Sequence, residues 1–262
     1  MQHKYAALLC IPLILLLGCG RGKTVVTLAG STAFQPFAEK LAEQYMSEHP
    51  NASITVQGGG SAVGIQSAIS GAAQIGMADL VILPDEARAL TPTVVARDGI
   101  AVVVNPSNAV SGLTTDQVRD IFNGKVRNWK DLGGADRPIT VVSREAGSGT
   151  RSSFEQIVTG ISLTRDALIQ DSNGTIRETV ANDANAVGYL SHGLLNAKIK
   201  ALTVDGEACS NETIASGSYR LVRPIYLLVN GPLQGEIKAF IEYVLSDNGQ
   251  QTIKANGLMP AR

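Results

Sequence analysis

Apolar positions along this chain fall in short blocks whose period alternates between that of a strand and that of a helix. Val25-Val26-Thr27-Leu28-Ala29 is a β-branched apolar run closed by Gly30, the pattern of a buried strand. Ser31 and Thr32 stand where helix caps belong, and Phe34, Phe37, Leu41 and Tyr45 then recur at helical spacing up to Pro50. A second strand over Ser53 to Gln57 runs into Gly58-Gly59-Gly60-Ser61. A short helix holding Ile65 and Ile69 follows, and then an apolar segment from Ile75 to Ala78. Strand, turn and helix in repetition imply a mostly parallel sheet with helices on its faces.

The same grammar continues to the end. Ile100 to Val104 reads as a strand, Thr114 with Gln117 as a capping box, and Val118, Ile121 and Phe122 as the apolar stripe of the helix it starts. Ile139 to Ser143 is a further strand, followed by the turn Gly147-Ser148-Gly149-Thr150 and a helix carrying Phe154, Ile157 and Val158. Asn173-Gly174 reads as a turn, with Thr175 and Glu178 as a second capping box. Ala186 to Leu190 and Tyr219 to Asn230 are strand-like, and one helix, Gln234 to Ala255, closes the chain. The apolar stretches near 100–105 and 219–229 are candidate crossovers between two lobes. The expected division is lobe I over 25–101 plus 224–262 and lobe II over 102–223.

Residues before this pattern belong to a different class. Lys4 precedes an apolar run from Ala6 to Leu17, which is too short to span a bilayer and suits a secretory signal. It ends in Leu16-Leu17-Gly18-Cys19, which resembles the lipobox of bacterial lipoproteins. Residues 1–18 are therefore expected to be removed, with Cys19 lipidated and 19–24 forming a tether to the membrane. Cys209 is then the remaining cysteine, expected to be a buried, inert thiol.

Across all 262 residues, 22 basic and 23 acidic side chains leave a net charge of −1, so no bulk positive field exists to hold nucleic acid. An anion would have to be held by local donors. Three turns are built for that: Gly30-Ser31-Thr32-Ala33-Phe34, Gly60-Ser61-Ala62-Val63 and Gly147-Ser148-Gly149-Thr150. Each sets glycine and a hydroxyl residue at a helix start, where free N–H groups and a partial positive charge collect. Such residues also serve merely as caps, and any one turn alone favours that reading. The three together, with Arg144 just upstream of the third, favour an anion site. Arg151 ranks below Arg144 as a partner, its alternative roles being to hold a nearby carboxylate or to help at the cleft rim.

Asp79 at first looks misplaced beside an anion. An ionised carboxylate only accepts hydrogen bonds, so it repels a fully deprotonated oxyanion and gains a charge-assisted bond from one that carries a proton. Near neutral pH phosphate keeps a proton and sulfate does not, so an inward Asp selects phosphate.

These segments, with Gln35-Pro36, Ile75-Gly76-Met77-Ala78, Asp120-Ile121-Phe122-Asn123-Gly124-Lys125, Asn128-Trp129 and Ala186-Val187-Gly188-Tyr189, together resemble the phosphate-binding proteins of bacterial ABC-type phosphate importers. The resemblance spans nearly the whole chain after Cys19. It implies a type II periplasmic-binding-protein fold, with two α/β lobes joined by a two-strand hinge and the ligand in the cleft between them. It also implies that Thr32, Ala33, Phe34, Ser61, Asp79, Arg144, Ser148, Gly149 and Thr150 contact phosphate. The implied partners are permease and ATPase subunits of an importer, with the protein itself a monomer needing no cofactor. In some members an Asp two residues after the arginine pairs with it, whereas Ala146 stands there in this chain.

Other functions fit less well. Gly147-Ser148-Gly149 misses the G-x-S-x-G nucleophile pattern at Ala146 and Thr150, and neither His49 nor His192 is tied by a signature to a serine, which argues against an enzyme. No His and Cys cluster suggests a metal. A binder of tungstate, molybdate or sulfate, or a sensor presenting phosphate status to a membrane kinase, remain the rival readings.

Overall fold

The computed structural model describes residues 23–261. The first block of the chain is a βα repeat: β1 (Thr24–Gly30), α1 (Gln35–Glu48), β2 (Ala52–Gln57), α2 (Ser61–Ser70) and β3 (Ile75–Ala78). A single long strand, β4 (Leu90–Val104), then leaves this lobe. Beyond it lie β5 (Gly112–Leu113), α3 (Thr115–Phe122), β6 (Thr140–Arg144), α4 (Gly149–Ile157), β7 (Leu168–Gln170), α5 (Asn173–Asn182) and β8 (Ala186–Ser191). After β9 (Lys200–Ala201), β10 (Thr203–Val204) and α6 (Asn211–Ser216), the chain returns through β11 (Val222–Asn230). It ends in α7 (Gly235–Leu245), α8 (Asp247–Ala255) and β12 (Met259–Pro260).

Strand order in the main sheet is β2-β1-β3-β11-β4-β8-β6-β7. β1 is parallel to both β2 and β3, and β6 to both β7 and β8, as expected of strands joined through helices. The crossing strands are antiparallel to their neighbours, so the sheet is mixed rather than mostly parallel. β4 serves both halves: Leu90–Gly99 pairs with β11, and Ile100–Val104 pairs with β8. Ile100 donates its N–H to Leu221 O at 2.7 Å, and the Tyr219 hydroxyl donates to Ile100 O at 2.7 Å, which ties the two crossing segments together.

Separate apolar cores flank this crossing. One gathers Ile100–Val104 with Phe122, Trp129, Phe154 and Tyr189; the other gathers Leu28, Phe37, Leu41 and Tyr45 with Phe240 and Ile253. In the first, Phe154 of α4 stacks on Tyr189 with centroids 4.1 Å apart and meets Phe122 edge-on at 5.0 Å. Burying such a ring stabilises by about 1.5–3 kcal/mol, so α4 is clamped from its far end and its N-terminus has a fixed address.

Three local expectations are corrected. Asn173-Gly174 begins α5 rather than forming a turn, because the capping box belongs to Ser172 and Thr175, one turn earlier than Thr175 and Glu178. The C-terminal helix is broken at Ser246, whose hydroxyl accepts from Gly249 N and starts α8 afresh. Neither Ser31 nor Thr32 is the cap residue of α1: that position is Phe34, and Ser31 Oγ accepts from Phe34 N in the preceding turn. The expected signal and lipobox, including Cys19, lie outside the described residues. No helix among the described residues is long and apolar enough to cross a membrane.

Candidate functional site

The starts of α1, α2, α4 and α5 meet where the two lobes face each other, and one carboxylate lies at their centre. Asp79, at the end of β3, is almost fully buried. The Ser61 hydroxyl donates to its Oδ1 at 2.7 Å, and the Asp79 N–H donates back to Ser61 Oγ at 3.0 Å. From the other side of the cleft Thr150 donates its hydroxyl to Asp79 Oδ2 at 3.0 Å. Ser153, one turn further along α4, donates to Asp79 O at 3.1 Å and accepts from Val81 N at 3.1 Å. Asp79, Ser61, Thr150 and Gly149 are thus brought into one crevice.

Two glycines make the approach of the lobes possible. A Cβ on Gly149 would overlap Ser61 Oγ and stand 2.7 Å from Asp79 Oδ1. Gly60 has φ +85°, and a Cβ there would lie 2.9 Å from Gly147 O across the cleft. Next to it, Ala62 N donates to Gly147 O at 3.1 Å, a backbone bond between lobes. First-turn N–H groups of α2 and α4 therefore sit side by side, with no intrahelical partners of their own.

Ser148 has a double capacity. Its Oγ accepts from Arg151 N at 3.2 Å as the cap of α4, yet a hydroxyl that accepts still has its proton to give. Capping and ligand binding are compatible in this residue. Ala33 and Phe34 are buried and Thr32 half-buried at the start of α1, with Thr32 Oγ1 accepting from Asn173 Nδ2 at 3.0 Å across the cleft.

Arg144 ends β6, just before the turn that starts α4. Only 1% of its side chain is exposed. Nε and Nη2 donate to the two Glu145 oxygens at 2.9 and 2.8 Å, and Nη2 also to Asp171 O at 3.1 Å. Glu145 thus takes over the pairing that Ala146 cannot make. Nη1 is buried with no hydrogen-bond partner, a charged donor held in place and unspent. Arg151 is turned away: it pairs with Glu155 at 2.8 Å and donates to Arg144 O at 2.9 Å.

Three residues at the site were not legible as such in the sequence. Asn173 links both lobes, giving Nδ2 to Thr32 and, at 3.4 Å, to Thr150, while its Oδ1 accepts from Ser191 N at 3.0 Å. Arg223 of β11 places Nη1 2.8 Å from Asp79 Oδ2 and donates from Nη2 to Asp98 Oδ2 at 2.8 Å. Asp98 accepts from Ser191 Oγ at 2.9 Å, and all three are fully buried. Burial pushes the Asp98 carboxyl up from its ordinary range, with Arg223 and Ser191 pulling the other way. The one available signal was a charge set inside an apolar run, Arg223 between Val222 and Pro224-Ile225.

Beneath the site, Ser143 and Tyr189 share a hydrogen bond of 2.8 Å, and burial pushes the Tyr189 phenol up to about 12. Cys209 is buried and its thiol pushed up by desolvation, which makes it unreactive. No cluster of metal-ligating side chains occurs among the described residues.

A family model described as a PBP superfamily domain matches residues 19–248. The phosphate-binding protein PstS of Bacillus subtilis is 36% identical over 232 residues, covering 87% of this chain and 77% of that protein. This chain belongs to the PstS family. A putative phosphate ABC transporter substrate-binding protein with bound phosphate from Clostridium perfringens shares this architecture at a TM-score of 0.88 and 37% identity, covering 91% of this chain and 100% of that one. An ABC-type phosphate transport receptor from Vibrio cholerae matches at 0.74 and 34%, covering 89% and 99%. Membership of the PstS family fixes the fold as the two-lobed binding-protein architecture and makes the chain a solute-binding protein rather than an enzyme.

Proposed function

We propose that this chain captures one inorganic phosphate ion between its lobes and delivers it to the permease and ATPase subunits of an ABC importer. The observation that carries the reading is Asp79, a buried acceptor hydrogen-bonded to a hydroxyl from each lobe, in the same crevice as helix starts that offer only donors. A carboxylate has about four lone-pair sites. In this structure the Ser61 and Thr150 hydroxyls each take one, on Oδ1 and Oδ2, and Arg223 stands 2.8 Å from Oδ2, leaving Oδ1 able to accept a proton from a ligand. Ser148 keeps a hydroxyl proton for ligand oxygens, Ser61 and Thr150 can turn theirs from Asp79 to the ligand, Arg144 Nη1 supplies charge, and the N–H groups at Ala33 and Gly149 complete a shell beside Phe34, whose N–H is held by Ser31. Thr32 adds a hydroxyl at the rim.

That shell suits a tetrahedral anion carrying a proton. Sulfate, tungstate and molybdate bring an unprotonated oxygen against Asp79, a repulsion worth several kcal/mol. Relatives bearing the name phosphate-binding protein support the same choice. The separate cores on either side of β4 and β11 support lobes of 25–101 plus 224–262 and 102–223, which close over the ligand as a monomer. Residues 1–18 would direct export and Cys19 would carry the lipid that holds the protein at the membrane.

Isothermal titration of the chain from Cys19 onward tests this. Phosphate is expected to bind one to one, with sulfate and tungstate weaker by about two orders of magnitude. Equal affinity for sulfate, or no phosphate binding, would overturn the proposal.

A further inference from the structure

The Asp79–Arg223–Asp98 chain contains more charge than a hinge needs. Arg223 and Asp98 are register partners on β11 and β4, at the place where both strands pass between lobes. A cross-strand ion pair would be enough to staple the two strands. Arg223 nevertheless sends its other terminal nitrogen to the carboxylate just past β3, 2.8 Å away, in an ion pair without hydrogen-bond alignment. Its Nε has no partner. Asp98 is in turn fixed by Ser191, Ser191 by Asn173, and Asn173 by Thr150, which returns to Asp79. The result is a closed polar ring that passes through both lobes and includes the cleft carboxylate.

We propose that Arg223, positioned by Asp98, is the counter-charge that keeps Asp79 a pure acceptor and thereby sets which oxyanion the cleft admits. The inference rests on the reading of the cleft as a phosphate site. A buried carboxylate without compensation favours its neutral form, and a neutral carboxyl has a proton to donate. An Asp79 that could donate would welcome sulfate as readily as phosphate. Arg223 removes that option, because its charge lies against Oδ2 before any ligand arrives. The forked guanidinium is what allows one side chain to serve Asp79 and Asp98 together. Arg223 touches no ligand in this account and is a positioning residue.

The test is the ratio of sulfate to phosphate dissociation constants, from competitive calorimetry, in the wild-type chain, Arg223→Lys, Arg223→Gln and the double variant Arg223→Gln with Asp98→Asn. Loss of the counter-charge should lower the ratio by at least about tenfold in both neutral variants, and Arg223→Lys, which keeps the charge without the fork, should lower it by at least about threefold. A purely structural Arg223 would weaken both anions together and leave the ratio unmoved. Folded neutral variants with a wild-type ratio would therefore overturn the inference. The double variant keeps an amide pair in place of the ion pair, which favours a folded protein. Should neither neutral variant fold, Arg223→Lys decides: a lowered ratio supports the inference and a wild-type ratio overturns it. A wild-type protein that lacks any preference for phosphate would instead remove the function this rests on, and the inference with it.

Discussion

Arg144 spends two of its three guanidinium nitrogens on Glu145 and on backbone carbonyls, and keeps the third. Bidentate pairing removes the side chain's freedom, so the remaining N–H donors wait in position instead of being gathered at binding. Truncation to Ala should cost about 2–5 kcal/mol of phosphate affinity, the scale for stripping a buried charge of its partner. Calorimetry that finds a loss below about 1 kcal/mol would place Arg144 outside the site. At this scale the sequence was partly readable. Ser61 and Thr150 stand out beside glycines at helix starts and Asp79 as a carboxylate at a strand end, and the structure unites them. Asn173 and Arg223 did not stand out, because their partners lie far along the chain: Thr32 is 141 residues from Asn173, and Asp98 is 125 from Arg223. Only the return of β11 beside β3 and β4 makes Arg223 part of the site.

Among the elements, helix starts matter more than helix bodies. α4 is anchored by Phe154 in the aromatic cluster and presents Gly149 and Thr150 to the opposite lobe. Gly149→Ala would place a methyl group against Ser61 and Asp79, so the closed form should be lost. Phosphate affinity is expected to fall by at least about tenfold, while thermal stability changes little, since alanine favours a helical first turn by about 0.5–1 kcal/mol over glycine. Unchanged affinity in that variant would show that the lobes need not approach so closely. The strand-turn-helix units were legible because β-branched runs and apolar helical spacing are local signals. Local signals failed where tertiary pairing decides. The strand expected over Ile100 to Val104 in fact begins at Leu90, because β11 pairs with the residues before Ile100. One long C-terminal helix was expected where Ser246 in fact caps a second.

For the molecule as a whole, two strands and a buried ion chain form the hinge, and His192 comes directly after Ser191, which donates to Asp98 in that chain. Burial lowers the His192 imidazole below its ordinary value of 6.5, with Asp98 and Asn211 pulling it back. The unfolded chain therefore binds more protons than the folded one just below that value, and stability must fall as pH drops through it. Melting temperature should decline between about pH 7 and pH 5, and His192→Gln should flatten part of that decline. An unaltered slope would show that His192 contributes nothing to it.

The proposed selectivity depends on a carboxylate that demands a protonated guest. Asp79→Asn leaves the shape of the crevice and adds an amide that can donate as well as accept. Competitive calorimetry of that variant with phosphate and sulfate is the most direct measurement. Sulfate should compete far better than it does against the wild-type protein. An unchanged preference for phosphate would contradict the role given to Asp79.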